Sequence, residues 1–346
     1  LTQLDPATIH CYERTNADEY SQSRKAYWEP REVNAFESVA DAAASARSGL
    51  RRYVQRATEG MNEVAQFLSG GEDSRVIAAL LPERLERHGL IFVDRPNREQ
   101  MIAQRAARAY GVKLHTVLRS PDHYLSILPE AFPLVGSGHQ YRHAHATGLC
   151  REFNLNQYQA VFGGSMANAF LKGMCVRQTR TYDRSFLLPA RYLPGETRSM
   201  PVVHDDFNED ILEEIRHRRM SHLRAVQALR EESAHEWFEL WPAGMLDLIG
   251  SLYCNRRQFR NYEPFMSNAL VKISASVPTA WKLRRRLYHS MAKDVLRRSK
   301  FVPHSDGWYP YYSWRQNLCV HAGAIYWRRT KRALGIEKRN QGPWAD

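Results

Sequence analysis

The first half of the chain alternates between two spacings of apolar residues. Apolar side chains about one helical turn apart over residues 36–58 predict a helix with one buried face. Short apolar runs bounded by glycine or polar residues predict strands at 62–68, 88–93, 113–118 and 159–162. Helical spacing separates these runs, at 73–81, at 98–110, after Pro121 and around residues 143–153. Strands alternating with helices indicate parallel βαβ units, so the predicted fold is α/β with a parallel sheet.

The two ends of the chain depart from this alternation. Residues 1–35 are polar and interrupted by prolines, whereas the pattern beyond residue 205 is mostly helical. We therefore divide the chain into an amino-terminal segment, residues 1–35, an α/β core, residues 36–205, and a mainly helical part, residues 206–346, that completes the domain.

Two pairs of adjacent glycines mark the expected ligand site. Gly70 and Gly71 follow the first predicted strand of the core, and Gly163 and Gly164 follow the fourth. Ligands of parallel sheets bind beyond the carboxyl ends of the strands, at the point where the strand order reverses. We therefore expect both glycine turns to face one site.

The first glycine turn has the composition of an anion-binding loop. Glycines let the backbone approach a ligand closely, and the predicted helix that begins near Ser74 adds unpaired N–H groups and the positive end of its dipole. Asp73 would repel a bare phosphate, so its presence predicts a cation between this carboxylate and the phosphate.

The charge of the chain is strongly basic. A formal net charge of +12 favours polyanionic partners such as nucleotides, nucleic acids or acidic substrates. Much of the excess lies in residues 282–300 and 328–339. We interpret these runs as solvated helix faces, with a docking surface for nucleic acid or a carrier protein as the alternative.

The five cysteines are scattered and form no C-x-x-C pair, so the sequence predicts neither a disulfide framework nor a zinc site. A reducing cytoplasm is the expected location. No apolar run is long enough to span a membrane, and we expect no membrane partner.

Three further groups of side chains carry weaker signals. His139, His143 and His145 share one segment with Arg142, and a contact to phosphate or carboxylate is a better interpretation than a metal site because no carboxylate or cysteine joins them. The aromatic residues between positions 308 and 314 are interpreted as packing rather than base stacking. Lys172 is interpreted as a surface lysine, with a charge near the glycine turns as the alternative.

The segment Leu68–Arg75 resembles the pyrophosphate loop of the ATP pyrophosphatases, and most closely the synthetase domain of asparagine synthetases. Three later segments are also similar to that family: Phe92–Glu99, Val161–Phe170, and Glu263–Met266 with Val277, Pro278 and Lys282. The resemblance implies a Rossmann-like, HUP-like three-layer α/β core with a helical C-terminal extension.

The same resemblance implies ATP and Mg²⁺ as cofactors. The residues implied for ATP or pyrophosphate binding are Leu68, Ser69, Gly70, Gly71, Asp73, Ser74, Val93, Gly163 and Gly164. Asp73 is the implied magnesium ligand.

The chain departs from the family pattern at positions where the family carries catalytic or metal-binding groups. Ala167 and Asn168 stand where the family has an Asp and a Glu, and Gly164 replaces a Glu or Tyr. Ser267 replaces the acid of the Pro-Phe-Leu-Asp stretch, and residues 301–307 stand where a basic loop carries a catalytic Lys. The catalytic residues are therefore left unassigned.

The resemblance implies an ATP-dependent ligase that activates a carboxylate as an acyl-adenylate and transfers it to ammonia or an amine. A glutaminase or a carrier protein is a possible partner, and nucleic acid is not expected. A non-catalytic nucleotide-binding or interaction protein of the same family is the alternative. An RNA-modifying ATP pyrophosphatase ranks third, because the cysteines used in sulfur transfer are absent.

The amino-terminal segment resembles the end of the family's glutaminase domain. We expect its apolar side chains to pack on the synthetase domain; they are Leu4, Ile9, Tyr12, Tyr27 and Trp28.

Overall fold

The computed structural model describes residues 7–16, 19–136, 140–178, 191–193, 209–241 and 250–335. Its strands are β1 (Thr8–Arg14), β2 (Tyr20–Ala26), β3 (Glu63–Phe67), β4 (Glu86–Val93), β5 (Lys113–Leu118), β6 (Val161–Phe162) and β7 (Asn261–Tyr262). Its helices in the first half are α1 (Val39–Ala57), α2 (Glu72–Leu80), α3 (Arg98–Tyr110), α4 (His123–Val135), α5 (Thr147–Phe153) and α6 (Ala167–Leu171). Those in the second half are α7 (Glu209–Gln227), α8 (Ala234–Leu240), α9 (Gly250–Arg256), α10 (Asn268–Ala275), α11 (Arg286–Ala292) and α12 (Leu318–Ala333).

The central sheet has five strands in the order β5-β4-β3-β6-β7, and every pairing within it is parallel. The chain builds outward from β3 to β4 and β5, and then returns to place β6 on the other side of β3. The strand order therefore reverses between β3 and β6, which is where parallel sheets bind their ligands. The α/β class with a parallel sheet is confirmed.

Helices cover both faces of this sheet because neighbouring residues of each strand point in opposite directions. On β3, Val64 joins a core cluster with Leu50 and Val54 of α1, whereas Ala65 joins a second cluster with Leu149 of α5. On β4, Ile91 packs with Ala103 of α3, on the same side as α1. The result is the expected three-layer arrangement.

Local signals fix the ends of several elements. Asn97 caps α3 by accepting a hydrogen bond from the backbone N–H of Gln100 at 3.0 Å, and Gly111 ends this helix in the left-handed region at φ 65°. The helix expected over residues 143–153 is shorter, because a 3-10 turn over Tyr141–Ala144 precedes α5.

The amino-terminal segment differs from its prediction. β1 and β2 form an antiparallel hairpin that makes a sheet of its own. Three apolar residues expected to pack on the domain are exposed instead: Ile9, Tyr12 and Tyr27. Trp28 does pack on the core, with its ring centroid 5.2 Å from that of Trp241 and 6.3 Å from that of Trp237. Leu4 lies outside the described residues.

The helical second half contributes one strand, β7, which pairs with β6 and so completes the central sheet. The five cysteines, all of them described residues, form no disulfide bond with one another. Across the described ranges, no helix has both the length and the apolar character that crossing a membrane requires.

Candidate functional site

The first glycine turn joins the carboxyl end of β3 to the start of α2. The hydroxyl oxygen of Ser69 accepts the backbone N–H of Gly71 at 3.1 Å, and that of Ser74 accepts the backbone N–H of Ser69 at 3.2 Å. Gly71 is the N-cap of α2, and no side chain bonds to the first N–H groups of this helix. These groups and the helix dipole are therefore available to an anion.

The second glycine turn touches the first. A Cβ placed on Gly164 would lie 3.1 Å from the backbone nitrogen of Ser74, and one on Gly163 would overlap the carboxylate of Glu263. Gly163 therefore needs glycine because the carboxylate already occupies the space of a side chain, whereas a Cβ on Gly164 would be tightly packed against the backbone of the first turn. The structure thus brings the two turns together, on the adjacent strands β3 and β6.

A cavity of about 1100 Å³ opens at this junction. Seven of the nine predicted binding residues line it: Leu68, Ser69, Gly71, Asp73, Ser74, Gly163 and Gly164. Their role in binding ATP stays a prediction.

The other two predicted residues do not line the cavity. The carbonyl oxygen of Gly70 accepts hydrogen bonds from the Arg75 guanidinium at 2.8 Å and from the Ser305 N–H at 3.2 Å. Val93 is 5% exposed and packs with Ile91 and Ala103, because its side chain points to the α3 face of the sheet. Gly70 therefore fixes the loop through its carbonyl oxygen, on the side away from the cavity lining. Near the end of β4, Phe92 lines the cavity in place of Val93.

A group of charged side chains lies beside the first turn. The Lys172 ammonium is 2.6 Å from a carboxylate oxygen of Asp73 and 2.8 Å from one of Glu72. Arg285 forms a bidentate ion pair with Glu72: its Nε donates at 2.9 Å to the oxygen that Lys172 also contacts, and its Nη2 donates to the other oxygen. Lys172 is therefore not the surface lysine of the sequence interpretation, since its side chain is only 10% exposed.

The pKa values of the two carboxyls in this group are shifted in opposite directions. Burial alone would raise the pKa of Glu72, but Lys172 and Arg285 together hold this pKa below its ordinary value. Burial raises the pKa of Asp73, and the adjacent Glu72 adds to this rise against the opposing effect of Lys172. Asp73 is thus harder to ionise than Glu72.

These contacts do not fit a magnesium ion held by the protein. A Mg²⁺ site needs one or two carboxylates that are free to coordinate. Asp73 is already paired with Lys172, and Ala167 and Asn168 supply no acid from the second turn. The Mg²⁺ role of Asp73 stays a prediction, its contacts weigh against it, and we derive no step through this ion.

Glu263 is a functional candidate that the sequence reasoning missed. It is 2% exposed, lines the cavity, and accepts the backbone N–H of Ser165 at 2.8 Å. Burial raises the pKa of Glu263 to about 7. A carboxyl that titrates near neutrality can take up or release a proton during a reaction. Its place directly after β7 and before Pro264 is the one sequence signal that could have indicated it.

A late segment, residues 301–308, lies over the first glycine turn. The fully buried guanidinium of Arg75 donates to the carbonyl oxygen of Val302 at 2.7 Å and also to that of Pro303. His304 stacks on Trp308 with ring centroids 4.5 Å apart, and both line the cavity. The segment that stands in place of the family's basic loop therefore forms one wall of the site.

The rings of Phe92, Tyr124 and His145 also line the cavity. The ring of Phe92 lies 4.9 Å from that of His123 and 5.0 Å from that of His145, and the Tyr124 hydroxyl lies 3.1 Å from Nδ1 of His145. Burial lowers the pKa of His145 to about 4, and His123 adds to this effect, so the ring is neutral at physiological pH.

The charged groups of the same segment also reach the cavity. Arg142 and His143 line it, whereas His139 lies outside the described residues. In the described part of the chain, one group of histidine and carboxylate side chains has metal-ligand spacing: Glu63, Glu86 and His88. It lies at the amino ends of β3 and β4, outside the cavity lining.

Comparisons with known proteins add the following findings. The family model described as asparagine synthase matches residues 45–305. No curated protein matches the chain.

Several solved structures show a slight likeness. The NMN synthetase from Francisella tularensis is 19% identical over 40% of this chain and 59% of its own, with a TM-score of 0.28. The NH3-dependent NAD synthetase from Campylobacter jejuni is 17% identical over 38% of this chain and 60% of its own, with a TM-score of 0.27. The U34-tRNA thiolase NcsA from Methanococcus maripaludis is 13% identical over 86% and 84% of the two chains, with a TM-score of 0.27.

The chain spans about three fifths of the length of the first two structures. These likenesses carry no argument about function. The family model, in contrast, covers most of the α/β core and continues through the helical part as far as residue 305. It includes both glycine turns and Glu263. The chain belongs to the asparagine synthase family.

Proposed function

We propose that this chain is an ATP-dependent amide-forming ligase. The observation that carries the proposal is the meeting of two glycine turns at the strand reversal, around one large cavity, in a member of the asparagine synthase family. The anion loop, the open end of α2 and a buried carboxyl that titrates near neutrality are the parts that such a reaction needs.

ATP would bind with its β and γ phosphates on Ser69, Gly71, Ser74 and the first turn of α2. Backbone N–H groups and the helix dipole favour negative charge there. The adenine would lie toward Phe92 near the end of β4. Ligand pockets of roughly 300–1000 Å³ hold drug-sized molecules, so a cavity of about 1100 Å³ has room for a nucleotide and an acyl substrate together.

The proposed reaction has two steps. An oxygen of the substrate carboxylate attacks the α-phosphorus of ATP, and the bond from this phosphorus to pyrophosphate breaks. The products are an acyl-adenylate and pyrophosphate. The nitrogen of ammonia or an amine then attacks the acyl carbon, the bond to AMP breaks, and one proton leaves the nitrogen as the amide forms.

Glu263 is proposed as the acceptor of that proton. Its carboxyl lines the cavity beside the second glycine turn, and its pKa of about 7 allows it to hold and release a proton near neutral pH. Lys172 and Arg285 supply positive charge next to the phosphate loop. Arg142 and His143, which line the cavity, are proposed contacts for a second anionic group of the substrate.

One specific observation favours the alternative of a binding protein without turnover. Ala167 is fully buried in the core, Asn168 is uncharged, and Ser267 is 8% exposed and does not line the cavity. None of the three supplies the carboxylate that the family carries at its position. Such a protein would bind the nucleotide at the same loop and leave it intact.

The test separates the two steps of the proposed reaction. Wild-type protein is incubated with ATP, radiolabelled pyrophosphate and pools of carboxylic acids, and the label entering ATP is measured. We expect exchange with at least one pool, and amide formation when ammonia or an amine is added. Glu263→Gln should keep the exchange and lose amide formation by about 100-fold or more, because general-base catalysis is worth roughly 10²–10⁴.

Glu59→Gln, which removes an exposed carboxyl outside the cavity lining, is the matched control and should behave as wild type. In the wild type, amide formation should also rise as the pH passes through the pKa of Glu263, about 7. ATP binding without exchange in any pool would favour the non-catalytic alternative. Failure of ATP to bind at all would overturn the proposal.

A further inference from the structure

Asp73 places a negative charge where the proposed phosphates of ATP would lie. It follows Glu72 in the first turn of α2, lines the cavity, and would repel a polyphosphate unless a cation lay between them. The usual solution is a divalent metal ion that joins carboxylate to phosphate. The structure offers a different cation at this place.

Lys172 reaches Asp73 from the second glycine turn. It follows directly after α6, the short helix that this turn begins, and its ammonium contacts Asp73 at 2.6 Å and Glu72 at 2.8 Å. The ring of Tyr288 lies 4.2 Å from the same ammonium, and tyrosine faces attract cations. The side chain is thus held at a defined place rather than extended into solvent.

The local charges balance without a metal ion. Glu72 and Asp73 contribute two carboxyls, and Lys172 and Arg285 contribute two cations that contact them. An ammonium has three N–H donors and two of its contacts are to these carboxylates, so one donor is left for a phosphate oxygen. Lys172 lines the cavity and its side chain is 10% exposed, so a ligand bound there would lie beside this ammonium.

We propose that Lys172 is a tethered cation that takes the place of a protein-held divalent metal at the phosphate loop. The ligand class is a polyphosphate, either the nucleotide triphosphate or pyrophosphate. This proposal rests on the proposed ATP site and adds that polyphosphate binding there needs no divalent ion.

The experiment is a calorimetric titration of the whole chain with ATP and, separately, with inorganic pyrophosphate. Each titration is performed with EDTA and again with excess Mg²⁺. For wild type we expect dissociation constants that agree within about threefold between the two conditions. Lys172→Met in EDTA should bind about 10- to 100-fold more weakly, the value of one charge-assisted hydrogen bond.

Adding Mg²⁺ to Lys172→Met and to a double variant tests whether the positive charge of Lys172 acts on Asp73. In Lys172→Met, Asp73 is left free to coordinate, so Mg²⁺ should restore much of the binding. In the double variant Lys172→Met with Asp73→Asn, the repulsion is gone in EDTA, and Mg²⁺ should give no further gain. Lys293→Met, which removes an exposed lysine outside the cavity lining, should bind as wild type in both conditions.

Folding of each variant is checked by circular dichroism. Should Lys172→Met fail to fold, Lys172→Arg keeps the positive charge and should still bind ATP in EDTA, whereas an Arg variant that folds but needs Mg²⁺ would contradict the proposal. Wild-type binding of ATP only with Mg²⁺ would overturn the tethered cation and leave the ATP site standing. No binding by wild type in either condition would overturn both.

Discussion

The two glycine turns reach the same cavity by different means. The first, residues 69–74, is an anion loop in its own sequence, with serine hydroxyls that bond its backbone and an open helix end behind it. The second, residues 163–168, has none of the acids that its family places there and contributes close packing instead. The first turn supplies backbone N–H donors. The second supplies a closely packed backbone and the lysine that follows it.

The two turns are also held in place by different contacts. Arg75, directly after the first turn, bonds it to the late segment through the carbonyl oxygens of Gly70, Val302 and Pro303. Glu263 holds the second turn by accepting the N–H of Ser165. A turn can therefore keep its position in a family while the chemistry it carries changes, provided that a distant residue fixes its backbone. Each of the following measurements tests one side of this comparison.

The largest expected effect is on the first turn. Arg75→Met should lower the free energy of unfolding by about 3–5 kcal/mol, because it removes the buried donor of the Val302 and Pro303 carbonyl oxygens and one of the two donors to that of Gly70. Urea unfolding measures this change, and Arg51→Met on the exposed face of α1 is the control. A loss of less than about 1 kcal/mol would show that Arg75 does not hold the late segment on the loop.

The next effect concerns the second turn and depends on pH. The pKa of Glu263 is raised from 4.5 to about 7 in the folded protein, so the folded state holds this proton more tightly than the unfolded state. The proton on Glu263 stabilises the folded state fully below pH 4.5. This contribution falls as the pH rises to 7, and the free energy of unfolding does not change further with this group above pH 7. The full difference is about 3 kcal/mol.

Urea unfolding of wild type and Glu263→Gln over this pH range measures the effect. The stability of wild type relative to the variant should fall between pH 4.5 and 7. A difference that stays flat or rises with pH would mean that the carboxyl is ionised in the folded protein.

The smallest effect compares the two turns directly. Gly163→Ala should lower the free energy of unfolding by about 2 kcal/mol, since its Cβ would overlap the Glu263 carboxylate. Gly71→Ala should cost less than about 1 kcal/mol, because its Cβ would meet the Ser69 hydroxyl at 3.1 Å and His304 at an ordinary contact distance of 3.8 Å, and its φ of −79° suits any residue. Thermal melts of both variants decide the order. Equal losses would contradict the difference in packing.

The sequence alone determined the elements and the positions of both turns. Apolar spacing is a local property, so α3 and β5 have the predicted bounds, and β3 and α2 differ from theirs by a single residue at each end. Glycine pairs after two strands of a parallel sheet predicted one shared ligand site, and the structure places them on adjacent strands. The amino-terminal hairpin was missed because its exposed strands bury no apolar face that a pattern could indicate.

Only the tertiary structure decided which charged side chains surround the phosphate loop. Lys172 and Arg285 are separated by about a hundred residues or more from the loop that they contact, and Glu263 is about as far from Ser165 of the second turn. No spacing rule relates such distant positions. Burial then sets their chemistry, since removal from water shifts the pKa of Glu263 and pairs Lys172 with Asp73. Local patterns of apolar residues build the sheet edge, whereas the packing of distant segments determines which charges lie there.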